Sequence, residues 1–292
     1  MKRREIALMI LSLCLSLILA GGAWAQEGTG GEPRNVIALS RSIAELWLLS
    51  GGELCGVTED ALDLEGISEG VASIGSLAHP STEAVLALDP GLVLMTLDMP
   101  AHKTLAQELE ELQIPIRVID IENFAGYDEQ ISYLSGLTGR EDLYEQNVVQ
   151  VRARIDEILA KAQQDLSVEG SFLCMRISAT KNRVMKKDFF TCEIIGDFGL
   201  TNIADDSNAL DELNLEAIAV ADPDWIFVIP MGDDETARAV YEELFTSQPV
   251  WDELSATRNG RVNVLPSELF MYKPNARWDE AYQYMYDLLG EK

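Results

Sequence analysis

The stretch STEAVLALDPGLVLM, residues 81–95, contains a helix start, a helix end and a strand in immediate succession. Ser81 can cap the helix, and Glu83 lies in its first turn, where the helix dipole favours an anion. Asp89-Pro90 predicts the end of the helix, because proline disfavours a helical residue before it. The apolar run GLVLMT that follows predicts a buried strand.

The same device occurs again in NLEAIAVADPDWIFV, residues 214–228. Each copy is followed by a helical pattern, a strand that contains Arg-Val, and another helical pattern. Helix-Asp-Pro-strand junctions are common, so the matched order of elements carries the argument more than the stretch itself. Strands that alternate with helices predict mostly parallel sheets with helices on both faces. The sequence therefore predicts an α/β protein with two lobes, bridged by one long α-helix, with a ligand cleft between the lobes.

Five segments follow from these patterns. A basic start, a long apolar run and the small residues Ala23 and Ala25 predict a secretory signal peptide over 1–25. An uncleaved N-terminal anchor is the alternative. Beyond it we expect a flexible leader over 26–34 and then the N-terminal lobe, the linking helix and the C-terminal lobe, at 35–140, 141–166 and 167–292. The protein is thus expected to be exported.

The chain is strongly acidic. Its 292 residues carry a formal net charge of −27, and removal of 1–25 leaves 19 basic and 48 acidic residues. Such a surface repels nucleic acid and disfavours anionic lipid. Three cysteines remain beyond the signal peptide, too few for a disulfide scaffold. Cys174 and Cys192 can pair in an exported protein, but an odd count fits buried thiols equally well.

Four stretches resemble one known family: ALSRSIAEL (38–46), HPSTEAVLALDPGLVLM (79–95), NLEAIAVADPDWIFV (214–228) and ELFMYKPNARWDEAY (268–282). The chain, over 34–290, is similar to the exported solute-binding proteins of ABC importers for iron-siderophores, haem and cobalamin. The resemblance implies a monomeric binding protein of the periplasm or the outer face of the cytoplasmic membrane, without enzymatic activity or intrinsic cofactor. Its partners would be an ABC permease with its ATPase, and an iron chelate or tetrapyrrole as ligand.

The resemblance favours a ferric siderophore or haem as the ligand, with cobalamin as an alternative. A two-lobed sensor or adhesin without a transport role is an alternative of another class. In the family, a glutamate at the start of each device docks onto permease arginines, and the matching residues here are Glu83 and Glu216. The simpler interpretation of both is helix-start electrostatics.

Ligands of open α/β sheets bind beyond the carboxyl ends of the strands. The segment from Arg176 to Lys187 holds five basic residues and no acid, and can either grip an anion or form a solvated hairpin. Direct binding of a bare metal is not expected from two histidines, but His79 or Tyr272 can ligate haem iron or simply line the cleft. The methionines can contact a large ligand or fill core gaps. The candidate ligand-binding residues are Arg41, His79, Met99, Arg176, Lys187, Met231, Met271 and Tyr272.

An enzymatic interpretation has one weak motif. Gly66-Ile67-Ser68-Glu69-Gly70 matches G-x-S-x-G, but a nucleophile elbow needs a strand directly before it. The preceding residues DALDLE are acidic and predict no such strand. The match is therefore interpreted as accidental.

Overall fold

The computed structural model describes residues 33–206, 210, 214–232 and 234–291. The predicted signal peptide and residues 26–32 of the predicted leader lie outside the described residues. Residues Pro33–Lys292 form one compact unit.

The first half builds a parallel sheet flanked by helices. Its elements are β1 (Val36–Ala38), α1 (Arg41–Leu49), β2 (Leu54–Val57), β3 (Ala72–Ser73), the hairpin strands β4 (Gly75–Ser76) and β5 (His79–Pro80), α2 (Thr82–Ala87), β6 (Leu92–Met95), α3 (Pro100–Glu111), β7 (Ile116–Val118) and α4 (Phe124–Thr138). The sheet order is β3-β2-β1-β6-β7, with every pairing parallel.

A helical run then leads to the second half. It consists of α5 (Glu141–Tyr144), a π-helical turn (Glu145–Val149) and α6 (Gln150–Asp165). Val151, Ile155 and Ala162 of α6 are buried, as their helical spacing predicted. The π-helical turn has no counterpart in the prediction of one regular helix. The role of this run as a bridge between two lobes stays a prediction.

The second half builds another sheet. Its elements are β8 (Ser171–Ile177), β9 (Arg183–Met185), α7 (Phe190–Asp197), β10 (Thr201–Asn202), α8 (Leu215–Ala221), β11 (Trp225–Pro230), α9 (Asp234–Tyr241), α10 (Ser255–Arg258), β12 (Val262–Val264), α11 (Ser267–Phe270) and α12 (Trp278–Gly290). The order β10-β8-β11-β12 is parallel, and β9 pairs antiparallel with β8. The predicted α/β class with mainly parallel sheets is confirmed.

The two devices fold alike. Ser81 Oγ accepts a hydrogen bond from the Ala84 N–H at 3.2 Å and begins α2. Asn214 Oδ1 accepts from two N–H groups at 2.9 and 3.2 Å and begins α8. Asp89 and Asp222 then take left-handed backbone conformations, with φ of 47° and 40°. Aspartate tolerates this region better than most residues, which explains why it precedes the proline in both copies.

One aromatic cluster joins the two halves. Trp278 of α12 is 1% exposed, and its ring centroid lies 5.8 Å from that of Phe124 and 6.2 Å from that of Tyr127, both in α4. On the other side it lies 5.5 Å from the ring of Phe190 in α7. The residues that cover the two sheets thus share one continuous hydrophobic core.

Candidate functional site

A cavity of about 240 Å³ lies where the first sheet meets a loop of the second half. The first half contributes residues that follow β1, β6 and β7 and residues of α1, and the second half contributes the loop after α11. The lining residues are Ser40, Ser42, Ile43, Leu46, Thr96, Asp98, Ile119, Ile121, Met271, Tyr272 and Lys273. The cavity therefore lies beyond the carboxyl ends of parallel strands, where open α/β sheets bind ligands.

Local hydrogen bonds order the walls of this cavity. Ser40 Oγ accepts from the Ile43 N–H at 3.3 Å, which starts α1 at the end of β1. Thr96 Oγ1 accepts from the Asp98 N–H at 3.2 Å and turns the chain after β6. On the opposite wall, Asn275 donates to the Glu45 carboxylate of α1 and ties the 271–275 loop to the first half.

Two predicted residues, Met271 and Tyr272, line the cavity, and Tyr272 is 55% exposed. Their backbone N–H groups both donate to the Ser267 carbonyl, at 2.8 and 3.0 Å, which holds the turn after α11. Lys273 comes next in the chain, is half-buried, and forms no ion pair with any residue that the structure describes. The cavity wall thus carries a cation that the sequence prediction omitted, and the acidic Asp98 lines the same cavity.

Three predicted residues of the first half do not line this cavity. The Arg41 guanidinium turns to the 3₁₀ turn at 59–61 and its neighbours, where it donates to the Asp60 carbonyl at 2.9 Å and pairs with Asp63. The hydrogen bond from Arg41 to the Asp63 carboxylate, followed by the charge of the guanidinium, holds the pKa of Asp63 below its usual value. His79 is exposed on β5, and Met99 directly precedes α3.

The basic segment after β8 forms a hairpin, which is one of the two interpretations of the sequence. Arg176 of β8 lies directly opposite Arg183 of β9 in the antiparallel pairing. The Arg176 Nε atom is buried and has no hydrogen-bond partner among the residues that the structure describes. Burial, and secondarily the positive charge of Arg183, lower the pKa of Arg176. Within the described part of the chain, neither arginine forms an ion pair, so the hairpin presents two uncompensated cations.

The other predicted residues of the second half flank this hairpin. Lys187 donates its backbone N–H to the Asp205 carboxylate at 2.8 Å. Met231 follows β11 and is 38% exposed. Because β8 and β11 are parallel, Arg176 and Met231 lie at the same edge of the second sheet.

The two predicted docking residues occupy equivalent positions. Glu83 and Glu216 are both exposed in the first turns of α2 and α8. Among the described residues, neither carboxylate has an ion pair or a hydrogen bond. The adjacent inward positions, Val85 and Ile218, are both fully buried, so each short helix is anchored with its glutamate directed to solvent.

The fold and sequence match known binding proteins. The family model described as periplasmic binding protein matches residues 36–269. The chain belongs to the periplasmic binding protein family. It is 23% identical to the Fe(3+)-citrate-binding protein YfmC of Bacillus subtilis over 288 residues, which covers 88% of each chain.

Solved structures of this periplasmic binding protein fold are also similar. The haem complex of IsdE from S. aureus has a TM-score of 0.72 at 19% identity. The alignment covers 89% of this chain and 99% of the IsdE chain. The vitamin B12 binding protein BtuF of Vibrio cholerae has a TM-score of 0.69 at 18% identity, with coverages of 88% and 96%. These likenesses confirm the fold that the sequence motifs predicted.

Membership of this family makes the chain a binding protein and not an enzyme, and the family is extracytoplasmic. The G-x-S-x-G match lies in turns after a 3₁₀ helix (Glu59–Ala61), without the strand that a nucleophile elbow needs. No group of three or more metal-ligating side chains is present in the described ranges. Within these ranges, no helix is both long enough and apolar enough to cross a membrane.

The cysteines of this binding protein are free thiols in the described structure. Cys174 of β8 and Cys192 of α7 are buried, and Cys55 is half-buried. A hydrogen bond with Cys174, together with burial, raises the pKa of the Cys192 thiol. The pair is therefore adjacent in the core and unreactive as thiolate.

The sequence prediction missed Lys273, Ile119 and Ile121, and it named Arg183 only as a member of the basic segment 176–187. Lys273 directly follows Tyr272, so the rule that ligands bind beyond strand ends could have predicted its position as well. The two isoleucines follow β7 and look like ordinary core residues in the sequence. The pairing of Arg183 with Arg176 depends on the register of the hairpin, which no local pattern specified.

Proposed function

We propose that this protein is the extracytoplasmic solute-binding component of an ABC importer that captures an anionic metal chelate, a ferric siderophore or haem. The observation that carries the proposal is the pair Arg176 and Arg183, which face each other and form no ion pair with an acid among the described residues. Like charges directly opposite each other destabilise a strand pair. A bound carboxylate, propionate or catecholate would compensate both, since guanidinium groups bind such oxygens in a bidentate manner.

The surrounding charge makes this pair more informative. The chain carries more than twice as many acidic as basic residues, so an arginine without an acidic neighbour is not the expected outcome. Lys273 adds a further unpaired cation in the cavity of the first sheet. Positive charge concentrated at a strand edge of an acidic protein attracts an anionic ligand locally.

The relatives support an iron-containing cargo. YfmC is named for ferric citrate, and IsdE was solved with haem. Both ligands carry carboxylates. Cobalamin is the alternative cargo, favoured only by the likeness to BtuF. A sensor or adhesin role is the alternative of another class.

Glu83 and Glu216 support the importer role. Each is exposed, unpaired and held in the first turn of a short helix that is anchored by a buried residue. We infer that they dock onto arginines of an ABC permease, which works with a cytoplasmic ATPase. One contact in each half of the chain would orient the protein on its partner.

A titration with three ligands tests the cargo. The purified protein is mixed with ferric citrate, haemin or cyanocobalamin, and binding is followed by absorbance and by the shift of the melting temperature. Arg176→Met should weaken ferric citrate and haemin by about tenfold or more, the effect of a lost charged hydrogen bond, and leave cyanocobalamin unchanged. Arg117→Met, at an arginine bonded to Gln130, is the matched control. Failure of all three ligands to bind would refute the proposed cargo.

An uptake assay tests the docking. Glu83→Ala combined with Glu216→Ala should abolish most uptake of the bound ligand and spare its affinity. The control variant removes two other exposed glutamates, Glu110 and Glu243, one in each half. Normal uptake by the first variant would favour the sensor or adhesin role, and loss of affinity would contradict the docking assignment.

A further inference from the structure

His102 is completely buried in the first turn of α3, and both of its ring nitrogens meet carbonyl oxygens. Nδ1 lies 3.2 Å from the carbonyl oxygen of Thr96, and Nε2 lies 2.9 Å from that of Leu77. Each ring nitrogen thus lies within hydrogen-bonding distance of a carbonyl oxygen, and the tautomer of the ring decides which nitrogen donates. Within the described part of the chain, neither oxygen accepts another hydrogen bond.

The two carbonyls belong to different parts of the first half. Thr96 lines the cavity and turns the chain after β6 by accepting from the Asp98 N–H. Leu77 lies at the tip of the β4–β5 hairpin, where Ser76 Oγ accepts from the His79 N–H at 3.2 Å. His102 therefore links the cavity wall to the hairpin.

We propose that His102 is a positioning residue for ligand binding: its Nδ1 contact holds the Thr96 turn at the cavity wall, and its Nε2 contact holds the β4–β5 hairpin. The inference rests on the proposed function, because it assigns the cavity to the captured ligand. His102 contacts no ligand in this role. It acts on binding only through Thr96 and the adjacent Asp98.

The two amide isosteres of histidine separate the two bonds. In His102→Asn, the side-chain amide nitrogen lies near the position of Nδ1 and can donate to the Thr96 carbonyl. In His102→Gln, the amide nitrogen lies near the position of Nε2 and can donate to the Leu77 carbonyl. Each variant loses one bond of comparable length, so a purely structural role would affect both variants alike.

The first experiment measures affinity. The wild-type chain and both variants are titrated with ferric citrate, or with haemin where only haemin binds the wild type. His102→Asn should bind within about twofold of the wild type, and His102→Gln should bind about fivefold to tenfold more weakly, the effect of one ordinary hydrogen bond. Equal affinity of the two variants, whether weakened or not, would overturn the inference.

The second experiment needs no ligand. Amide hydrogen exchange should be faster at Asp98 in His102→Gln and faster at His79 in His102→Asn, because each variant frees a different turn. The same exchange pattern in both variants would overturn the inference even if a ligand binds. A wild-type chain that binds no ligand but shows the divided exchange pattern would refute the proposed cargo and retain the positioning role.

Discussion

Replacement of Arg176 by methionine should stabilise the ligand-free protein. Methionine retains the aliphatic stem that packs on β8 and removes the buried Nε donor, which has no partner in the structure. An unsatisfied buried donor costs about 1–3 kcal/mol, and a like charge directly opposite costs about 0.2–1 kcal/mol. The rest of the side chain is partly exposed and hydrated, so we expect a net gain in the free energy of unfolding of about 1–2 kcal/mol.

The assay is urea denaturation followed by circular dichroism, with the slope against denaturant unchanged between variants. Arg183→Met should raise the free energy of unfolding by only about 0.2–1 kcal/mol, because it removes the charge opposite Arg176 but not the buried Nε donor. Arg117→Met supplies the contrast. Arg117 donates to Gln130 at 3.0 and 3.3 Å and lies 4.1 Å over the Tyr133 ring, so the same substitution should lose about 1–2 kcal/mol there.

Ligand should reduce this difference. At a concentration of 100 times the wild-type Kd, a bound ligand stabilises the wild type by about 2.7 kcal/mol and a variant that binds tenfold more weakly by about 1.4 kcal/mol, so the advantage of Arg176→Met should shrink by about 1.3 kcal/mol. The reasoning would be refuted if the ligand-free Arg176→Met protein lost about 1 kcal/mol or more of its free energy of unfolding, which is the loss expected for Arg117→Met. In that case Arg176 contributes to the stability of the fold and is not held ready for an anion.

Three further outcomes follow from the packing and the charges. Trp278→Ala should cost about 3–5 kcal/mol of unfolding free energy, measured by urea denaturation, because the ring is buried between the two halves; a loss below 1 kcal/mol would contradict the shared core. Gly75→Ala should lower the melting temperature more than Gly70→Ala. Both glycines have φ near +100°, but only at Gly75 would the new Cβ lie 2.7 Å from a backbone carbonyl oxygen. Equal melting temperatures of the two variants would contradict this. Hydrogen bonds from Ser255 lower the pKa of Asp222, so they stabilise the fold above the ordinary aspartate pKa, and this stabilisation is lost as the pH falls through the pKa of the folded state. Asp222→Asn should therefore flatten the acidic side of the curve of unfolding free energy against pH. An unchanged acidic side would contradict this prediction.

Much of the fold followed from local patterns. Capping residues and apolar runs predicted the positions of helices α2 and α8 and of strands β6 and β11, because these signals act over a few residues. The π-helical turn at Glu145–Val149 and strand β9 were not predicted. Both depend on packing and pairing with distant elements rather than on local propensity.

The candidate site was less predictable. The strand-end rule placed Met271 and Tyr272 in the cavity, but it gave equal weight to Arg41, whose side chain is engaged by Asp60 and Asp63. A strand-end position fixes where the backbone of a residue lies. It does not fix which neighbour the side chain binds. Asp63 lies 22 residues after Arg41, so the strand-end rule gives no sign of this ion pair.

The sequence by itself determined the α/β class, the two matched devices and the exposed positions of Glu83 and Glu216, because helix caps, Asp-Pro junctions and amphipathic periodicity are local. Only the tertiary structure decided that Arg176 faces Arg183 without an acid, and that His102 joins the cavity wall to a hairpin. Strand register and long-range hydrogen bonds bring these groups together. They depend on the packing of the whole chain, which no short stretch of sequence encodes.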